Sequence, residues 1–137
     1  MPQLNRYIVR HKAEFYHHLQ SVRDTGQWTA WVLHILRAVE DTSLQTISQV
    51  HVIRDLMQGT KQRLGAELPR LYSQDLINNL FHHPYSRIEF TERDLGLSRP
   101  TATTYLSDLC AAAIVRKHKL GHTHFYINEP LFKLLST

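Results

Sequence analysis

The side chains with chemistry to offer are one cysteine, ten histidines and a cluster of hydroxyl and basic residues between Ser98 and His122. A cysteine serves as a nucleophile when a neighbour stabilises its thiolate. Cys110 instead stands in Leu109-Cys110-Ala111-Ala112-Ala113, which reads as the packed end of a helix, with the thiol as a small core residue. The histidines are His11, His17-His18, His34, His51, His82-His83, His118, His122 and His124. Only the last three cluster, and neighbouring hairpin positions do not by themselves close a tetrahedral metal site. There is no HExxH pair, no Gly-rich phosphate loop and no G-x-S-x-G elbow. Most of the histidines therefore read as solvated surface, with His17, Trp28 and Trp31 as core or interface candidates. What remains is nucleic-acid contact, with protein docking or a plain structural role beside it. Arg99, Thr101, Thr103, Thr104 and Ser107 share one segment, and Lys117, Lys119 and His122 follow in the next. Short hydroxyls can approach base edges closely, and cations hold phosphates. Asp108 on the same segment repels phosphate.

The elements that must position these residues are marked by the five prolines, at 2, 69, 84, 100 and 130. Between Pro2 and Pro69 nothing forces a helix to stop. Asn5 is expected to cap a first helix carrying Ile8, Phe15, Leu19 and Val22, which ends at Asp24-Thr25-Gly26. A second helix is expected from Trp28 to about Gly65, with Gly59 and Gly65 as candidate breakpoints. Its stripe of Val32, Leu36, Val39, Ser43, Thr46, Val50, Ile53 and Met57 alternates steps of four and three. That spacing fits a bundle helix, and it also fits a self-associating coil, so a homodimer through residues 28–60 is a second expectation. At 1.5 Å per residue such a helix is roughly 55 Å long, and part of it is expected to pack beyond this small domain.

After Pro69, Leu71, Leu76, Ile77, Leu80 and Phe81 predict a third helix closed by His82-His83-Pro84. Arg87–Phe90 reads as a short strand, and Thr91 as the cap of a brief helix over 92–95 stopped by Gly96. Ser98 is expected to cap a helix running to about Ala113, with Pro100 in its first turn and Ala102, Leu106, Leu109 and Ala113 facing inward. Two strands, 114–119 and 124–128, flank Leu120-Gly121-His122-Thr123, and Pro130 opens a last short helix. The fold class expected is mainly α with a small β-hairpin: a helical part over residues 1–68, then a winged helix-turn-helix over 69–137. A glycine turn lets the two helices of that motif meet steeply, so the second presents a polar face.

Composition bounds the rest. The chain of 137 residues is 42% hydrophobic and 20% charged, enough to bury a core. A single cysteine excludes an internal disulfide framework and suits a reducing interior. No apolar run approaches the roughly 18 residues of a membrane span, and the first residues lack a signal peptide's apolar core. A cytoplasmic protein without a membrane partner is the expectation. Net charge is +4, and from Pro69 onward eight basic side chains face six acidic ones. That mild excess permits DNA contact and equally permits a protein-interaction module.

Several stretches, in order along the chain, are similar to a known family. Arg6-Tyr7-Ile8-Val9-Arg10-His11-Lys12-Ala13-Glu14-Phe15-Tyr16 and Gly26-Gln27-Trp28-Thr29-Ala30-Trp31-Val32-Leu33 resemble the Fic (filamentation induced by cAMP) family just after its catalytic region. Leu71-Tyr72-Ser73 and Phe81–Ile88 look like its linker, Ser98–Leu106 like its reading helix, and Leu120-Gly121 with Tyr126-Ile127-Asn128 like its wing. The resemblance implies that residues 1–68 are the remnant of a Fic-type core and a linker helix, and that the chain is the C-terminal part of a longer protein. It implies an upstream Fic catalytic core as a partner and exposed apolar surface where that core is missing; double-stranded DNA is the partner that the hydroxyl and basic residues of 99–122 suggest. Full-length members carry HPFxxGNGRxxR and transfer AMP from ATP, with magnesium, to protein hydroxyls. Here the only His-Pro, His83-Pro84, continues Tyr85-Ser86-Arg87, so no catalytic residue or cofactor site carries over. The chain itself is not expected to be an enzyme.

Overall fold

A computed structural model describes residues 2–136. Seven helices and a three-stranded antiparallel sheet make up the described residues, so the molecule is mainly α with a small hairpin. It forms two compact units, Met1–His51 and Val52–Thr137, and the division falls inside the long third helix.

The first unit holds α1 (Pro2–Arg10), α2 (Lys12–Thr25) and the beginning of α3 (Thr29–Glu67). Asn5 is not a cap; it lies within α1, which starts at Pro2 because proline is well tolerated in a first turn. The single helix expected over this stretch is broken at His11, whose ring stacks on Tyr7 at 4.2 Å and whose Nδ1 lies 3.0 Å from the Tyr7 carbonyl. Gly26 ends α2 in the left-handed conformation, as its position predicts. Against α3, Phe15 meets Trp31 edge to face at 4.9 Å, and Gln3 bonds Gln49 and Thr46. The buried face of α3 here carries His34 and Ala38. It is not the four-and-three stripe: Val32, Leu36, Val39 and Val50 of that stripe are exposed, together with Leu33, Leu44 and Ile47. Apolar residues surround so much of α3 that periodicity alone did not select the packed side, and the aromatic side chains of α2 did.

His34 is 7% exposed, its ring lies 4.8 Å from that of His18, and its Nε2 has no hydrogen-bond partner. Burial holds its pKa below the ordinary 6.5, helped by repulsion from His18, His11 and Arg37 and opposed by Glu14. An unfolded chain regains the ordinary value, so it binds the proton first as pH falls. This contribution to stability is complete above about pH 6.5 and is lost as pH drops through the lower folded-state value. Both tryptophans, Trp28 and Trp31, lie in this unit. Their emission is therefore expected to shift to the red between pH 7 and pH 5, and to do so less in His34→Gln.

The second unit contains the rest of α3, then α4 (Gln74–His82), β1 (Tyr85–Ser86), α5 (Ile88–Leu95), α6 (Arg99–Ala111), β2 (Arg116–Leu120), β3 (Thr123–Ile127) and α7 (Glu129–Ser136). Gly59 and Gly65 do not end α3, which continues to Glu67 with Leu64 fully buried. Ser73 caps α4, accepting the Leu76 N–H at 3.1 Å. The expected strand over 87–90 is instead the extended N-cap Arg87 followed by the first turn of α5, and the strand is Tyr85–Ser86, just after Pro84, which disfavours helix in its predecessor. Thr91 is not a cap; it sits inside α5, fully buried, its hydroxyl 3.2 Å from the Arg87 carbonyl. A partly buried polar chain ties this corner: Asn79 Nδ2 donates to Asp94 at 2.9 Å, and the Ser86 hydroxyl donates to Asn79 Oδ1 at 3.2 Å.

The sheet order is β1-β3-β2, with Tyr85 opposite Ile127, Ser86 opposite Tyr126, and Lys117 opposite Tyr126 from the other edge. Leu64, Leu76, Ile77, Leu106 and Leu109, all below 2% exposed, form the core with Leu80, Val115 and Tyr126. Asn128 closes the end of β3 on α4 by donating Nδ2 to the Leu80 carbonyl at 3.2 Å.

Candidate nucleic-acid interface

The sequence-predicted site residues divide between α6 and the β2–β3 hairpin. α5 ends at Gly96, whose φ of 66° is left-handed and open to glycine without strain, and the chain re-enters helix at Arg99. Ser98 occupies the N-cap position, yet its hydroxyl donates to Thr101 Oγ1 at 2.9 Å and caps no backbone N–H. Ala102, Leu106 and Leu109 are fully buried, so the opposite side of α6 is open. Ala113, expected on the inner face, is exposed: the helix ends at Ala111 and Ala113 adopts a left-handed φ of 58°. Its neighbours' N–H groups turn back onto the helix, Ile114 N to the Leu109 carbonyl at 3.0 Å.

On the open side, Thr101, Thr104 and Ser107 are exposed and recur every third residue, which places them on one face. Thr103 is half-buried beside them. The hydroxyls of Thr103 and Thr104 donate to the carbonyls four residues earlier, Arg99 and Pro100, at 2.8 and 3.0 Å. With those protons engaged, their outward lone pairs are acceptors. Arg99 is exposed at the head of the helix, with Nη1 3.7 Å from Glu89 and 4.0 Å from Glu92.

Lys117 and Lys119 are exposed on β2 and lie opposite Tyr126 and His124, so both share the sheet face that carries Tyr126. The Lys117 backbone also bonds Cys110, tying β2 to the end of α6, and burial pushes the Cys110 thiol up rather than activating it. His122 is exposed in the turn, where Gly121 has a φ of 62°. His118 lies on the other sheet face, opposite Phe125. The α6 residues are thus brought together, the two lysines form a second group, and His122 stands at the tip.

Sequence reasoning passed over three features here. Arg70 lines a groove of about 580 Å³ with Thr104, Tyr105 and Asp108. Arg87 lies 5.7 Å from the ring centres of both Phe90 and Phe125, and Arg93 lies 5.2 Å from that of Phe90. Glu89 joins Arg87 and Arg99. The only available signal was the Glu89–Glu92 spacing of three on α5. Among the described residues, no three His, Cys, Asp or Glu side chains gather to hold a metal ion, and no helix is long and apolar enough to cross a membrane.

Residues 56–131 match the family described as protein adenylyltransferase SoFic-like, C-terminal domain, a match covering more than half of the chain. The chain belongs to that family. The matched SoFic-like segment begins within α3 and ends at the start of α7, and it includes every candidate site residue. Its His83-Pro84 pair does not fit an ATP-phosphate cradle. The His83 ring packs on His82 at 4.4 Å and stacks with Tyr85, and the Pro84 carbonyl accepts the Asn128 N–H. These residues of the SoFic-like domain have no glycine loop beside them to hold ATP phosphates.

Proposed function

We propose that the second unit is a winged helix-turn-helix that binds double-stranded DNA, with α6 in the major groove and the β2–β3 hairpin as a wing on the backbone. The observation that carries this reading is the two-sidedness of α6: Ala102, Leu106 and Leu109 are buried, and Thr101, Thr104 and Ser107 are exposed on the opposite side. Acceptor oxygens on that side suit the exocyclic amines of adenine and cytosine, and Arg99 and Lys117 suit phosphates. The domain would serve a Fic-type adenylyltransferase whose catalytic core, with its ATP and magnesium, is a separate part of the protein. The chain would act in the cytoplasm without transferase activity of its own.

Titration against a mixed-sequence duplex over a range of salt tests this. Arg99→Ala and Lys117→Ala are each expected to weaken binding several-fold, and Lys117→Ala to reduce the salt slope by about 0.9. No binding at low salt would reject the reading. A second reading, a dimerisation or regulatory module that never meets nucleic acid, is favoured by the exposed Val32, Leu36, Val39 and Val50 of α3. It predicts a concentration-dependent homodimer through residues 28–60, visible by sedimentation. Label transferred from ATP to a protein by this chain alone would overturn both.

A further inference from the structure

We propose that Glu89 and Glu92 on α5 form an electrostatic restraint on Arg99, holding it from DNA phosphate and keeping α6 from binding duplex indiscriminately; this rests on the DNA-binding reading. The restraint is built in a chain of contacts. The Arg87 guanidinium lies over the rings of Phe90 and Phe125, 5.7 Å from each centre. Its Nε, shielded from water, faces Glu89 Oε2 at 3.4 Å in an ion pair without hydrogen-bond geometry. Glu89 is therefore held by a cation that is itself held, and its other oxygen, Oε1, faces Arg99 Nη1 at 3.7 Å. Glu92, with a side chain only 28% exposed, adds a second carboxylate at 4.0 Å. Asp94 takes no part, since it is engaged by Asn79 and Arg93.

Two carboxylates shared with two arginines leave no surplus of positive charge at the head of α6. A phosphate approaching Arg99 competes with Glu89 and Glu92 for its guanidinium. Each exposed pair is individually weak, of the order of 1 kcal/mol or less, so the restraint can be released where base contacts compensate. On sequences without those contacts the glutamates go on competing, which reduces the Arg99 contribution without abolishing it. Glu89 and Glu92 thereby act as specificity-determining residues without touching DNA.

Glu89→Gln and Glu92→Gln keep the side-chain shape and remove the charge. Either is expected to raise affinity for a mixed-sequence duplex by roughly two- to fivefold at low salt, the fold-change matching a released surface pair. The double variant should also steepen the salt dependence by about 0.9, one added phosphate contact. In an Arg99→Ala background the gain should vanish. Unchanged affinity in the glutamine variants, while Arg99→Ala still weakens the unaltered protein, would overturn the restraint and leave DNA binding standing. A gain that persists without Arg99 would overturn it as well, since any lost negative charge would then suffice. Absence of duplex binding in every variant would reject the DNA-binding reading itself.

Discussion

Leu106→Ala is expected to destabilise the second unit by about 3–5 kcal/mol. Leu106 is fully buried on α6 and belongs to the core formed with Leu64, Leu76, Ile77 and Leu109, so the truncation removes apolar contact and leaves a void lined by side chains of several elements. Those elements cannot all collapse into it, since Asn128 ties β3 to α4 and the polar chain from Asp94 to Ser86 ties α4, β1 and α5. At about 4–8 °C per kcal/mol for a unit of this size, the melting midpoint should fall by roughly 12 °C or more. Leu106→Met conserves volume and should cost below about 1.5 kcal/mol. Ser107→Ala, one residue on and exposed, should stay within about 0.5 kcal/mol. Thermal melts of the three variants check the assignment of the inner face of α6: comparable losses at 106 and 107 would contradict it.

The second large effect is expected from Asn79→Ala. Asn79 is 5% exposed and holds two partners at once, donating to Asp94 at 2.9 Å and accepting from Ser86 at 3.2 Å. A bond to a carboxylate contributes more than a neutral one, and the loss should be about 2–3 kcal/mol at neutral pH. Its pH dependence separates this from a simple cavity. The Asn79 hydrogen bond, followed by that from Arg93, holds the Asp94 carboxyl below its ordinary 3.8. Stability from a depressed carboxyl is present above the ordinary value and lost as pH falls through the folded-state value. The gap between Asn79→Ala and the unaltered protein, measured by denaturant titration, should therefore be widest near pH 7 and shrink below about pH 4. A gap that stays constant across that range would assign the loss to packing alone.

These contacts show what the sequence could and could not disclose. α6 and its hairpin were legible because their signals are local: Gly96 for the left-handed turn, Pro100 in a first turn, apolar residues at 102, 106 and 109, and Gly121 between two short strands. β1 and α5 were misplaced because Ile88 and Phe90 alternate like a strand over four residues, whereas Ile88, Thr91 and Leu95 fit a helix only when read over eight. On α3 the regular stripe was real, but the buried residues are His34 and Ala38, a polar and a small residue, and it is His34 that Phe15 and His18 of α2 meet. For the candidate interface, the exposed residues of α6 could be assigned from its inner face. The pairing of Glu89 with Arg99 could not, because it joins two helices across a turn, and periodicity within one element carries no record of its neighbour.

The hydroxyl bonds on α6 have a thermodynamic corollary. Thr103 and Thr104 are anchored to their own helix, and Ser98 to Thr101, so these side chains have already surrendered rotational freedom before any partner arrives. A surface set in advance forfeits little side-chain entropy on docking, which otherwise costs about 0.5–1.5 kcal/mol for each long side chain immobilised. On the DNA-binding reading such a face would discriminate by shape, favouring a partner whose relief matches the anchored methyls and oxygens.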